Sequence, residues 1–121
     1  MGFRKFIDTK KRGASLPMIS IWTRGQISFN TVAAESLHLK DYSHIELYFD
    51  HQKRLIGLNP TNIITESIPI NFRDGGLVNF SAIPFLRSIG IFGNKTAKYI
   101  ITDDRKVSGL YVVGIGHKVG P

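Results

Sequence analysis

The chain of 121 residues has no cysteine, which removes disulfides, thiolate metal sites and thiol nucleophiles at one stroke. That absence fits a reducing cytoplasm. No apolar run approaches the roughly 20 residues needed to cross a bilayer. The opening residues, MGFRKFIDTKKRG, lack the apolar core of a secretory signal. Met1 and Gly2 are not followed by the serine or threonine that myristoylation requires, because position 6 is Phe6. Neither a G-x-S-x-G elbow nor a phosphate-cradling glycine loop of the Walker type occurs. The four histidines, His38, His44, His51 and His117, do not fall at metal-binding spacing with carboxylates. Asp103 and Asp104 form an acidic pair in a predicted turn, the usual place for solvated charge. Gly114 and Gly116 have no following helix to bind phosphate. These absences predict a protein that is not an enzyme and carries no cofactor or metal.

What is present is an ordinary globular composition, 42% hydrophobic and 21% charged, with a net charge of +7. The charge is unevenly spread. Residues 1–16 carry Arg4, Lys5, Lys10, Lys11 and Arg12 against Asp8, a net of +4; residues 17–66 have a net of −1, and residues 67–121 a net of +4. Basic excess favours phosphate-rich partners through counterion release.

The sequence also repeats. At an offset of 51, Ile19 meets Ile70, Gly25 meets Gly76, Ile27 meets Val78, Phe29 meets Phe80 and Val32 meets Ile83. One extra residue inside the helix shifts the offset to 52, where Leu37 meets Ile89, Leu47 meets Tyr99, Gly57 meets Gly109 and Leu58 meets Leu110. Apolar positions, glycines, caps and turns stay in phase, the pattern a duplication leaves.

Each copy reads strand, strand, helix, strand, strand. Residues 18–22 alternate as a half-buried strand, and residues 23–26 make a tight turn around Gly25. Residues 27–29 form the second strand, Asn30 caps a helix, and residues 44–49 and 55–58 supply the last two strands. Residues 59–62, with Pro60, are expected to break structure and join the copies. In the second copy, residues 68–72 are a strand that Pro69 assigns to an edge, and residues 73–76 a hairpin turn. Ser81 is expected to cap a helix with Pro84 in its first turn, and Phe80 to staple onto Phe85. Residues 98–102 and 107–113 complete the copy, and the tail is expected to fray beyond Ile115. One unit of about fifty residues has a thin core and open edges; two can complete each other. The expected organisation is a basic arm (1–16) and a single β-rich α+β domain (17–121) made of repeat 1 (17–62) and repeat 2 (63–121).

The first copy, RGQISFNTVAAESLHLKDYSHIELYFDHQKRLIGLNP, resembles the AbrB/MazE swapped-hairpin family. The matching elements are Gly25, Ile27, Phe29, the helix through Leu37, Leu39, Asp41, Ile45, Leu47, Ile56 and Pro60. The second copy matches through Gly76, Val78, Phe80, Ile89, Ile91, Lys98, Tyr99, Val107 and Leu110. The tandem arrangement resembles the MraZ type. Where the family carries an arginine after the turn glycine, Gln26 and Leu77 stand; where it ends the second strand in proline, Asn30 and Ser81 stand. The resemblance implies a pseudo-twofold swapped-hairpin barrel that binds duplex DNA, as a transcriptional regulator or an antitoxin-like protein.

The candidate contacts with DNA phosphates are the arm residues Arg4, Lys5, Lys10, Lys11 and Arg12, then Arg24 and Arg73 beside the two glycine turns. Lys53 with Arg54 and Arg105 with Lys106 occupy the same place in each copy. Such contacts position without reading bases. Hairpin turns are also simply solvated, and Asp50, Asp103 and Asp104 sit beside these pairs. Two alternatives stand. A single-strand module would stack bases on strand aromatics drawn from Trp22, Phe29, Tyr48 and Phe49, most of them expected in the core, with Trp22 and Tyr48 out of phase with part of the apolar set and expected to be exposed. A protein-interaction module, including a homodimer, would use edge pairing and no nucleic acid. A membrane partner is not expected.

Overall fold

Among the described residues, the alternation of apolar and polar side chains gives nine strands in a nearly closed antiparallel β-barrel with two short helices. The structure, a computed structural model, describes residues 16–102 and 109–116. In chain order these are β1 (Met18–Ile21), β2 (Gln26–Phe29), helix α1 (Thr31–Ser36), β3 (His44–Asp50), β4 (Leu55–Thr61), β5 (Ile68–Pro69), β6 (Asn71–Phe72), β7 (Val78–Ser81), helix α2 (Ile83–Ser88), β8 (Ala97–Thr102) and β9 (Tyr111–Gly114). Single 3-10 turns lie at Leu39–Asp41 and Asp74–Gly76.

The strands are hydrogen-bonded in the order β5-β3-β4-β9-β8-β1-β2-β7-β6. The two ends of that order are one stretch of chain, because only Ile70 separates β5 from β6. Residues 68 and 69 pair with β3, residues 71 and 72 pair with β7, and the Ile70 amide donates to the Ser43 carbonyl at 2.9 Å. Pairing crosses between the halves throughout. The β1–β2 hairpin lies between β8 and β7, β5 lies on β3, and β4 lies on β9.

Inward-facing residues fill the barrel. Ile27 and Phe80 face each other across β2 and β7 with no exposure, and Phe29 meets the Phe80 ring at 5.8 Å between centroids. Ile19, Ile56, Leu58 and Val113 are equally buried. Each such side chain stabilises the fold by about 1.5–3 kcal/mol. The helices cover the openings, α1 through Ala33 with Leu37 and Leu39 behind it, α2 through Leu86 with Ile89.

Register supports the offset read from the first two strands. Ser20 faces Ser28 and Asn71 faces Asn79, the same pair displaced by 51. Beyond the helices the offset of 52 needs correcting. Tyr99 faces Ile19, while Ser43 takes the same position opposite Ile70, so the third strands are displaced by 56. The second half has a longer path from helix to strand, and apolar phase alone does not distinguish displacements that differ by an even number.

Three local expectations also change. β4 does not break before Pro60 but runs to Thr61, with Pro60 opposite Ile45. β9 pairs with residues 55–58 only, so Pro60 lies on a free edge where its missing N–H leaves no ladder bond unmade. Ser81 belongs to β7, paired with Gln26, and the N-cap of α2 is Ala82, which has no side-chain cap. The Ala82 amide donates to the Gly25 carbonyl at 2.8 Å, so a bond to the neighbouring turn fixes this helix start. Phe80 does not staple onto Phe85; it turns inward to Phe29, and Phe85 meets the Phe49 ring edge-on at 6.3 Å. Asn30 caps α1 as its residue type predicts, accepting from the Ala33 amide at 2.8 Å. The expected fraying of the tail falls on residues 117–121, outside the described residues.

Candidate nucleic-acid interface

The β1–β2 turn is closed by the Trp22 amide on the Gln26 carbonyl (2.8 Å) and the Gly25 amide on the Trp22 carbonyl (2.9 Å). Gly25 takes φ of 98°, a conformation that L side chains rarely adopt. The turn carries Arg24, which is exposed. It is held from the side by the α2–β8 connection: Thr23 Oγ1 donates to the Asn94 carbonyl at 3.0 Å, and the Thr23 amide donates to Thr96 Oγ1 at 3.2 Å. Lys95, exposed, lies between those two partners. Phe92 of the same connection carries Arg87 over its ring, 4.8 Å from guanidinium carbon to centroid.

The β3–β4 turn reaches the same end of the barrel. Asp50 Oδ1 accepts from the Gln52 and Lys53 amides, both at 3.0 Å. Arg54 has φ of 55°, uncommon for a residue with a side chain, and its carbonyl accepts from the Ile115 amide at 3.0 Å. Its guanidinium lies 5.3 Å above the Phe49 ring, which in turn touches Phe85 of α2. Each cation–π contact stabilises by about 0.5–1 kcal/mol at an accessible site and leaves the guanidinium edge free for a ligand. Burial pushes the Tyr99 hydroxyl above its usual range, and the Arg54 charge nearby works against that rise.

Around α2 the fold thus gathers Arg24, Lys53, Arg54, Arg87 and Lys95, with Asp50 the acid among the described residues there. The opposite end, around α1, is the reverse. Among the described residues, Lys40, Arg73, Glu35, Asp41, Glu66 and Asp74 fall on segments at that end. It also holds an open cleft of about 380 Å³ between α1 and the β6–β7 turn, lined by Ala34, His38, Phe72 and Val78 among others.

Arg24 and the Lys53–Arg54 pair therefore lie at the same end of the barrel, and Arg73 lies at the other. Arg4, Lys5, Lys10, Lys11, Arg12, Arg105, Lys106 and His117 lie outside the described residues. Arg87 and Lys95 were not singled out in the sequence; the signal available was only their share of the basic carboxy-terminal half. Trp22 and Tyr48 are exposed, 43% and 47%, while Phe29 is core. Tyr48 donates to Glu46 Oε1 at 3.0 Å; that bond, burial and the Glu46 charge together push its hydroxyl up. An acid at that place disfavours a phosphate chain over Tyr48.

No family model, curated protein or solved structure matches the chain. Among the described residues no helix is long and apolar enough to cross a membrane, and no group of three or more His, Cys, Asp or Glu could hold a metal ion.

Proposed function

We propose that this chain is a small cytoplasmic DNA-binding protein that grips the phosphates of duplex DNA with the α2 end of its barrel, as a transcriptional regulator or antitoxin-like factor. The carrying observation is the partition of charge. Among the described residues, five cations and one acid stand around α2, against two cations and four acids around α1. Among the described residues, the attraction for a polyanion is concentrated at the α2 end. The cations of the basic arm lie outside the described residues; the arm joins the barrel at Leu16, beside Asn30 at the start of α1, and supplies phosphate contacts of its own.

The reading includes a finer fold, two fused ββαββ units exchanging hairpins in the manner of the AbrB/MazE family and in the tandem order of the MraZ type. Its support is reciprocal pairing, β1 on β8 and β5 on β3, with β2 on β7 and β4 on β9 between the halves. The footprint differs from a symmetric one, because the acidic neighbours of Arg73 take it out of the contact set.

Titration of a duplex at two salt concentrations tests this. Arg24→Glu and Arg54→Glu each lower affinity about tenfold and reduce the slope of log affinity on log salt by about 1. Arg73→Glu lowers it less than about threefold. Equal losses at Arg24 and Arg73 would restore the symmetric footprint; unchanged affinity in all three folded variants would remove the interface.

A further inference from the structure

We infer that the indole of Trp22 is a stacking site for an unpaired nucleobase, beside the phosphate-binding end and resting on the nucleic-acid reading of it. Trp22 closes β1 on the outer face of the sheet, 43% exposed. Its Nε1 donates to Ser28 Oγ at 2.8 Å, which ties the ring edge to β2. A ring held this way has less rotamer freedom to lose when a ligand stacks on it.

The sheet around it is low. Ser20 and Ser28 flank the ring, and the indole borders two shallow clefts. One, of about 170 Å³, has Arg24, Gln26, Leu77 and Asn79 in its wall. The other, of about 280 Å³, has Lys98. A stacked base needs a flat apolar surface, amides for its edge and a cation for each adjoining phosphate. Trp22 supplies the first, Gln26 and the Nδ2 of Asn79 the second (Asn79 Oδ1 accepts from Asn71 Nδ2 at 3.4 Å), and Arg24 and Lys98 stand on either side for the third. Asn30 also borders the larger cleft, but its amide is spent on the Met18 and Ala33 amides and the Leu16 carbonyl, so it serves the fold. The flanking cations favour a nucleotide chain over a neutral sugar, which would stack on the same ring without using them. Lys98 is thereby assigned a role as a phosphate contact.

Trp22 is the one tryptophan of the chain, so intrinsic fluorescence reports on this site alone. The full-length protein is titrated with a thymidylate oligomer of about ten nucleotides, with a blunt duplex and with a neutral oligosaccharide. The oligomer quenches the emission saturably by about half or more, the duplex by much less, and the sugar not at all. Trp22→Leu, checked for folding by circular dichroism, weakens oligomer binding about tenfold by anisotropy and leaves duplex affinity within about twofold. Ser28→Ala keeps the ring, frees its edge and weakens the oligomer about threefold. Oligomer binding without quenching in the unaltered protein, or quenching by the sugar as strong as by the oligomer, would overturn the assignment. Quenching by the oligomer with no duplex binding would instead sink the duplex reading and leave the base site standing.

Discussion

The β1–β2 turn and the β6–β7 turn follow the same pairing, with Ser20 on Ser28 in one and Asn71 on Asn79 in the other. Their surroundings differ. A Cβ at Gly25 would collide with Ile83 Cγ1 and press on Phe92 Cε1 at 3.0 Å, whereas nothing lies within 4 Å of one at Gly75 or Gly76. Thr23 is tied to Asn94 and Thr96; the second turn is closed by the Arg73 amide on the Leu77 carbonyl. The cause lies in the connections that follow each helix. Measured from the first strand to the third, the second half is five residues longer (offsets of 51 and 56), and that length lets Phe92 fold back over Gly25. The shorter path in the first half leaves the α1 cleft open. Matching strand pairs thus fix where a turn sits but not what covers it.

The largest effect expected from this difference is at Gly25. Gly25→Ala combines a forbidden φ with a clash against packed side chains and destabilises by about 2–4 kcal/mol in urea unfolding. Gly75→Ala carries only the conformational cost, about 1 kcal/mol. Equal losses would mean that the Ile83 and Phe92 cover yields without strain. Next, Phe92→Ala uncovers the turn and removes the ring beneath Arg87, costing about 2 kcal/mol, less than a fully buried phenylalanine because Phe92 is only half-buried. If thermal melting leaves the variant unchanged, the fold-back adds nothing to stability.

The smallest contrast concerns the two helix starts. Asn30→Ala loses bonds to Ala33, Met18 and Leu16 and costs about 1–2 kcal/mol. Ser81→Ala, at the corresponding position, stays within about 0.5 kcal/mol, since Ser81 caps nothing. A comparable loss at Ser81 in a denaturant titration would show that it stabilises α2 after all.

Much of the barrel was legible wherever a short-range rule applied. Alternation placed Ile19, Ile21, Ile27 and Phe29 inward, and the residues out of phase, Trp22 and Tyr48, are outside. Asn30 was legible because capping is decided within four residues. Pro60 was misread because its tolerance depends on where β9 begins, about fifty residues away. The candidate site was legible only in part for the same reason. Arg24, Lys53 and Arg54 lie in recognisable turns, but their meeting with Arg87 and Lys95 depends on an eight-residue connection (89–96) folding back on a hairpin seventy residues earlier. No periodicity encodes that.

The interleaving has a consequence for how the protein is made. Ile21 needs Ala97 as its neighbour, and at about 5–20 residues per second the ribosome supplies it some 4–15 s later. Until then the first hairpin can pair with β7 at most, and its other edge stays open. Closure of the barrel is therefore deferred until β8 and β9 have been made.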